Sequence, residues 1–167
     1  VAVLDGGLDA WTAAGGAMTT DATVPPKARA PYPMSAQPAM PSIAVADLAR
    51  GLGSARIVDA RGADRFRGEN EVLDPVAGHI PGAVNRPFKD NLDAAGRFKP
   101  ARTLRDEWTQ VLGSTPAERV VQQCGSGVTA CQNMLAMMIA GWPVTTLYAG
   151  SWSEWSADPA RARAVGS

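Results

Sequence analysis

The sequence predicts an α/β fold with a central parallel sheet flanked by helices on both faces. From residue 42 onward, short apolar segments typical of strands alternate with segments of helical spacing, which is the pattern of a parallel sheet. Hydrophobic residues make up 46% of the 167 residues, which is enough for such a core and argues against global disorder.

The first predicted elements lie at the amino terminus. Val1, Val3 and Leu4 have the pattern of a short apolar strand, a Gly-Gly turn follows, and residues 8–14 are expected to be a short helix. Between residues 19 and 41 the composition changes, because six prolines fall among Ala, Thr and Ser. Proline lacks a backbone N–H and favours extended backbone, so this stretch is predicted to be a linker.

After the linker, strands and helices alternate. Apolar segments predict strands at the start of 42–48, at 55–60, at the end of 79–85, at 119–124 and at 145–148. Helical spacing predicts a helix over 104–112, capped by Thr103, and another over 129–141. Shorter helical segments are expected at the end of 42–48, at 64–67 and at 151–156. Loops are expected at 68–78 and 125–128.

Charge and cysteine content exclude several classes of protein. Sixteen Lys and Arg balance sixteen Asp and Glu without a basic run, so nucleic acid is not an expected partner. Two cysteines are too few for a disulfide scaffold, and one histidine beside them lacks zinc-site spacing, so neither a metal nor another cofactor is expected. No secretory leader or membrane-spanning run is visible, which makes the reduced cytoplasm the expected location.

A short repeat links the two ends of the chain. The segments LDGGLDAW and LYAGSWSEW each combine an apolar strand pattern, a glycine turn and a helix with Trp. Their alignment pairs Gly6 with Gly150 and Trp11 with Trp155, an offset of 144 residues. Such a period predicts two copies of one domain, the first represented only by its last elements. The alternative is the chance recurrence of a short pattern.

The segment VVQQCGSGVTA carries the most chemical information. It delivers Cys124 to the carboxyl end of a strand, the edge at which open parallel sheets bind ligands. Gly125 and Gly127 let successive N–H groups form an anion cradle, and the helix beginning near Thr129 adds the positive end of its dipole. Cys124 is therefore expected to be largely thiolate, and so a nucleophile. The alternative, a buried structural cysteine, suits Cys131 better.

Two other interpretations fit this segment less well. A cysteine phosphatase needs an arginine six residues after the cysteine to bind phosphate, and Ala130 stands there. A disulfide between Cys124 and Cys131 would require the loop to pull apart, so it is expected only as an oxidation product.

Four ordered motifs within about residues 43–159 resemble the rhodanese-type sulfurtransferases. CGSGVTA, which begins at Cys124, is similar to the active loop of the 3-mercaptopyruvate branch, whereas the thiosulfate branch carries basic residues where Gly125 and Ser126 stand. The other motifs are VDAR from Val58, GHIPGAVN from Gly78 and YAGSWSEW from Tyr148. The resemblance implies a rhodanese-like fold.

The resemblance also implies a reaction. Cys124 would accept a sulfane sulfur from 3-mercaptopyruvate or thiosulfate as a persulfide and pass it to a thiol or cyanide. Backbone N–H groups would stabilise the charged sulfur, and they belong to the loop and helix residues Gly125, Ser126, Gly127, Val128 and Thr129. Ser126 would relay a proton to the departing enolate; the alternative is a turn residue that bonds its own loop.

Arg65 stands where the family places a substrate-binding arginine, which suits the carboxylate of mercaptopyruvate. The alternative is a surface arginine paired with Asp64 or Glu69. The branch usually carries a second arginine nine residues later, where this chain has Asp74. Arg67 and Arg86 are candidate substitutes for that arginine. Asp59 and His79 are expected to have structural roles.

The same resemblance implies a tandem enzyme. Residues 1–18 would be the end of an N-terminal rhodanese domain, 19–41 the interdomain linker, 42–160 the catalytic domain and 161–167 a tail. Without the first domain, impaired activity and an exposed apolar interface are expected. The alternative function is a persulfide carrier or regulatory rhodanese module that hands sulfur to, or binds, a protein partner such as thioredoxin.

Overall fold

A four-stranded parallel sheet forms the centre of the computed structural model, which describes residues 2–22, 24, 27, 31 and 40–166. Its strands are β1 (Arg56–Asp59), β2 (Val84–Asn85), β3 (Val120–Gln123) and β4 (Thr146–Leu147). They lie in the order β2-β1-β3-β4, and each neighbouring pair is parallel. The predicted central parallel sheet is therefore confirmed, with β1 and β3 inside it.

Six α-helices accompany the sheet in the described part of the chain. They are α1 (Gly7–Ala13), α2 (Val45–Arg50), α3 (Ala63–Arg67), α4 (Ala101–Leu112), α5 (Val128–Ile139) and α6 (Ser151–Ala157). Two short 3-10 helices, which the sequence analysis does not predict, cover Phe88–Asn91 and Ala117–Arg119. Because helices and strands alternate, each β-strand from β1 onward is separated from the next by helical structure.

Helices cover both faces of the sheet, as predicted, because successive strand residues point to opposite faces. On one face, Val58 and Val120 pack with α4 and α5 through Leu104, Trp108, Leu112, Ala136 and Met137. On the other face, Ile57 and Val121 pack with α2 and α6 through Leu48, Trp152 and Trp155. A third, smaller cluster of Ala60, Cys124 and Ala130 lies at the carboxyl ends of β1 and β3.

A buried ion pair fixes the carboxyl end of β1. The Arg61 guanidinium donates to both carboxylate oxygens of Asp59, with the shortest N–O distance 2.6 Å, and to the carbonyl of Gly78 at 2.8 Å. It also lies 5.0 Å from the ring centre of Trp152. The pair therefore joins β1, the loop before β2 and helix α6.

His79 also has a structural setting, as the sequence analysis expects. Its Nδ1 lies 2.8 Å from the carbonyl oxygen of Phe66, and its ring stacks on the ring of Phe66 with 3.8 Å between the ring centres. Both residues are buried. The histidine thus packs the turn before β2 against α3.

Three sequence-based expectations about local structure are wrong. Residues 2–4 form no strand, because no strand among the described residues pairs with them, and Val3 and Leu4 are exposed. The strand expected at the start of 42–48 is reduced to a single parallel bridge between Ser42 and Leu147. Thr103 lies inside α4 rather than capping it, since the helix begins directly after Pro100.

Parts of the predicted amino-terminal strand, linker and tail lie outside the described residues. These parts are residues 1, 23, 25–26, 28–30, 32–39 and 167.

The repeat seen in the sequence extends to the helix boundaries. Helices α1 and α6 have the same length, and both their first and last residues differ by 144 positions. Gly7 and Ser151, which begin the two helices, also share a left-handed backbone, with φ values of +58° and +53°. The environments differ: α1 has no buried residue and Trp11 is exposed, whereas Trp155 is in the core.

We predict that Arg61→Leu destabilises the fold by about 3–5 kcal/mol, because it leaves buried carboxylates without their cation. The measurement is the urea midpoint of unfolding. The matched control is Arg50→Gln, which removes an exposed arginine that pairs with Asp47 on the surface of α2 and should leave the midpoint unchanged. Equal midpoints for the Arg61 variant and the wild type would contradict this account of the buried pair.

Candidate active site

A cavity of about 240 Å³ lies beyond the carboxyl end of β3. Its lining combines one thiol, one guanidinium, one carboxylate and three hydroxyl groups with loop backbone. The residues are Arg65, Leu73, Asp74, Cys124, Gly125, Ser126, Val128, Thr129 and Ser153. Of the predicted site residues, only Gly127 does not line the cavity, and this glycine instead precedes helix α5.

Gly127 shapes the loop that carries the thiol. Its φ of +82° lies in the left-handed region, and a Cβ atom there would come within 2.6 Å of the Ala149 carbonyl oxygen. A glycine is therefore required at this position. Helix α5 begins at the next residue, Val128, one position earlier than predicted.

The loop presents N–H groups that the fold itself does not use. Among the hydrogen bonds of the described residues, none has an N–H donor in residues 125–129. The first N–H groups of an α-helix have no partner within the helix, and the helix dipole places partial positive charge at the same end. Free donors and dipole together make this loop suited to an anion.

Cys124 lies at the base of the cavity and is 2% exposed. Its N–H donates to the Ser151 hydroxyl at 3.0 Å, and its carbonyl accepts the Trp152 N–H at 3.0 Å. The carbonyl of Gly125 accepts the N–H of Ser153 at 2.9 Å. The start of α6 therefore holds the loop through the backbone groups of Cys124 and Gly125.

Cys131 corrects one expectation. The sequence analysis expects the buried structural cysteine to be this one, but Cys131 is exposed, and its Sγ donates to the Gly127 carbonyl at 3.4 Å. The reason is its place on the outer side of the first turn of α5. Cys124 is the buried residue, and both thiols are free.

Arg65 points toward the cysteine loop but has partners other than those expected. Its Nη2 lies 2.8 Å from Glu71 Oε1 and 3.3 Å from Asp74 Oδ2, and its Nε contacts both Glu71 oxygens at 3.1 Å. The alternative pairing with Asp64 or Glu69 is therefore wrong. The guanidinium stays close to the loop, since a Cβ atom on Gly125 would be 3.5 Å from Nη2.

Glu71 lies beneath Arg65 and is almost fully buried. Burial by itself would raise the pKa of Glu71, but hydrogen bonds from Arg65 and from the N–H groups of Leu73 and Asp74 outweigh it and hold this pKa below its usual value. Glu71 also contacts Arg61 at 3.3 Å. It thereby connects the buried ion pair of β1 to the arginine of the cavity.

Asp74 is the carboxylate that lines the cavity. In addition to Arg65, it accepts a hydrogen bond of 2.5 Å from the hydroxyl of Ser153. The Ser153 hydroxyl also lies 2.9 Å from the Gly125 carbonyl. Asp74 is therefore fixed between the arginine and the cysteine loop.

The remaining candidates are placed at the rim or elsewhere. Ser126 and Val128 are exposed at the cavity, and no hydrogen bond joins the Ser126 hydroxyl to its own loop among the described residues. Arg67 pairs with Glu69, and Arg86 binds Glu107, so neither substitute arginine lines the cavity.

Sequence reasoning missed Leu73 in the cavity lining and three polar residues that hold the site together. Glu71 belongs to a loop without periodicity, and nothing in its neighbours marks it as a partner of Arg65. Ser151 and Ser153 lie within the recognised YAGSWSEW motif, whose glycine turn could have indicated that this segment contacts the cysteine loop.

The described residues contain neither a candidate membrane-spanning helix nor a candidate metal-binding cluster. None of their helices combines the length and apolar character needed to cross a bilayer. No three or more of their His, Cys, Asp and Glu side chains are grouped so that they could hold a metal ion.

Several sulfurtransferases have sequences that align with nearly the whole chain. A Pseudomonas aeruginosa protein named "Probable 3-mercaptopyruvate sulfurtransferase" is 47% identical over 99% of this chain and 58% of its own length. Human 3-mercaptopyruvate sulfurtransferase is 36% identical, with 93% of this chain and 52% of that protein covered. A thiosulfate sulfurtransferase of Pseudomonas aeruginosa is 35% identical, with 93% and 56% covered. The chain thus spans little more than half the length of these relatives.

The fold also matches solved structures. An anaerobic ergothioneine biosynthesis enzyme from Chlorobium limicola, solved with trimethyl histidine, superposes with a TM-score of 0.80 over 98% of this chain and 41% of that one, at 23% identity. At this identity the likeness concerns the fold alone. The family model for the "Rhodanese-like domain" matches residues 44–158, which include β1 to α6 and every residue that lines the cavity. The chain belongs to the rhodanese family.

Proposed function

We propose that the chain is the catalytic part of a sulfurtransferase that moves a sulfane sulfur through a persulfide on Cys124. The observation that carries the proposal is the thiol at the base of a cavity whose loop offers unused N–H groups. A thiolate and a persulfide anion both need such donors, because each places negative charge where little water reaches. The names of the relatives support 3-mercaptopyruvate or thiosulfate as the donor.

The two donors load the cysteine by different bond changes. With thiosulfate, the Cys124 thiolate attacks the sulfane sulfur, a new S–S bond forms, and sulfite leaves with the electron pair of the broken S–S bond. With mercaptopyruvate, the thiolate attacks the thiol sulfur and the C–S bond breaks. Its electron pair forms the enolate of pyruvate, which takes up a proton. In either case a thiol or cyanide then attacks the outer sulfur and regenerates the thiolate.

The scheme assigns roles to the arginine of the cavity, the N–H groups of the loop and Ser126. Arg65 binds the donor's carboxylate or sulfonate through its remaining N–H groups. The N–H groups of Gly125, Gly127, Val128 and Thr129 stabilise the charged sulfur. Ser126, which is exposed beside Cys124, relays the proton to the enolate.

The alternative is a persulfide carrier or regulatory rhodanese module that hands sulfur to, or binds, a protein partner such as thioredoxin. The exposed rim favours this version, since Val128 at the mouth of the cavity is 73% exposed and accessible to a protein thiol. Turnover rates with cyanide, small thiols and thioredoxin distinguish an enzyme of small molecules from a carrier.

The two free thiols of the protein suit a reducing compartment, and we propose that the reaction takes place in the cytoplasm.

We also propose that residues 1–18 end a first rhodanese domain, that 19–41 link it to the catalytic domain at 42–160, and that 161–167 are a tail. The matching boundaries of α1 and α6 support this organisation, as does the share of the relatives' length that the chain spans. The first domain would cover the exposed apolar side chains of this segment, which are Val3, Leu4, Leu8 and Trp11.

Cys124→Ser should abolish sulfur loading, because a serine hydroxyl at neutral pH is not a comparable nucleophile. The measurement is the mass of the protein after treatment with each donor, and the wild type should gain one sulfur on the peptide that contains Cys124. The matched control is Cys131→Ser, which should load normally. Loading of the Cys124 variant, or loading on Cys131 instead, would refute the proposal.

Ser126→Ala should slow loading by mercaptopyruvate about a hundredfold while leaving loading by thiosulfate nearly unchanged. Only the mercaptopyruvate reaction produces an enolate that needs a proton. The measurement is the single-turnover loading rate of Cys124 with each donor. Equal losses with the two donors would show that Ser126 shapes the loop and does not relay a proton.

A further inference from the structure

The side chains of the cavity supply little of the positive charge that an anion-binding site would require. Within the described part of the chain, Arg65 is the one cationic side chain that lines the cavity. Two carboxylates already bind it, Glu71 from beneath and Asp74 from within the cavity wall. The cationic charge available to a donor is therefore largely compensated before any donor enters.

The wider network does not restore a positive charge. Arg61, the next guanidinium, is bound by Asp59 and by Glu71, and both of its contacts are buried. The connected set holds two guanidinium groups and three carboxylates, and the Cys124 thiolate adds a further negative charge. Attraction of an anion then depends on the N–H groups of the loop, which are partial charges and neutral overall.

Asp74 is the carboxylate of this network that a donor would meet. Glu71 does not line the cavity, whereas Asp74 does, together with Arg65 and Cys124. Its side chain is held in place by Arg65 at 3.3 Å and by Ser153 at 2.5 Å, so its charge stays at a defined place. A fixed negative charge on a largely buried side chain acts on a second anion more strongly than it would in bulk water.

We propose that Asp74 is a specificity-determining residue that selects against doubly charged anions at Cys124 in favour of singly charged or neutral reagents. The expected consequence is that mercaptopyruvate, which has one carboxylate, is preferred over the thiosulfate dianion. This consequence rests on the proposed function. The selectivity arises because Coulomb repulsion scales with the charge of the incoming group. Removing the Asp74 charge should therefore increase the rate at which a dianion reacts with Cys124 by about the square of the factor for a monoanion.

The first test does not depend on sulfur transfer. Cys124 of the full chain is alkylated with iodoacetate, a monoanion, and with neutral iodoacetamide, and the modified peptide is quantified by mass so that Cys131 does not interfere. In each reaction a C–S bond forms and iodide leaves. A change in the thiolate fraction of Cys124 alters both rates by the same factor, so the ratio of the two rates reports the charge of the cavity.

Asp74→Asn should raise the iodoacetate-to-iodoacetamide ratio about threefold to tenfold, and added salt should diminish the difference. The asparagine keeps an oxygen that can accept the Ser153 hydrogen bond. Asp74→Glu, which keeps the charge, should leave the ratio close to that of the wild type. Glu69→Gln removes an exposed carboxylate of the same loop that pairs with Arg67 outside the cavity, and should also leave it unchanged.

The second test uses the sulfur donors. Asp74→Asn should raise the loading rate with thiosulfate relative to that with mercaptopyruvate by about the factor seen with the alkylating reagents. An unchanged alkylation ratio in this variant, or an equal rise in Asp74→Glu, would overturn the inference even if both donors load Cys124. Failure of the wild type to load from either donor would refute the proposed function, while the alkylation ratio would still decide the role of Asp74.

Discussion

The contact between the start of helix α6 and the cysteine loop is the interaction on which the site depends. Ser151 accepts the N–H of Cys124, Trp152 donates to the Cys124 carbonyl, and Ser153 donates to the Gly125 carbonyl. These bonds use the N–H of Cys124 and the carbonyl groups of Cys124 and Gly125. The N–H groups of residues 125–129 have no partner among the described residues, so they remain available to a charged sulfur. The left-handed backbone of Ser151, whose hydroxyl also donates to the Tyr148 carbonyl, is part of this arrangement.

A second chain of contacts connects the core to the cavity through charge. It begins at the buried pair of Asp59 and Arg61, continues through Glu71, and ends at Arg65 and Asp74 beside the thiol. Each partner in this chain is needed because an unpaired charge at this depth is costly. The same contacts that keep Arg65 in place therefore limit the positive charge that it offers to a donor. The position of Arg65 and the proposed selectivity between sulfur donors are therefore consequences of the same network of ion pairs.

The sequence was sufficient for those features that depend on neighbouring residues. The strand before Cys124, the glycines of its loop and the helix after it are all local patterns, and the strand ends and the helix begins within one residue of the prediction. Features that depend on distant partners were not predictable in the same way. Nothing local distinguishes Glu71 or Asp74 as partners of Arg65, and residues 2–4 have a strand pattern without a neighbouring strand. The burial of Cys124 and exposure of Cys131 likewise follow from how α5 packs on the sheet.

Stabilisation of a charged sulfur on Cys124 by the N–H groups of its loop is the basis of the proposed chemistry. It can be examined in a crystal structure of the protein determined after treatment with a sulfur donor. We expect a single added sulfur on Cys124, within hydrogen-bond distance of two or more N–H groups of residues 125–129. An added sulfur that points away from these groups, or that appears on Cys131 instead, would refute this role of the loop.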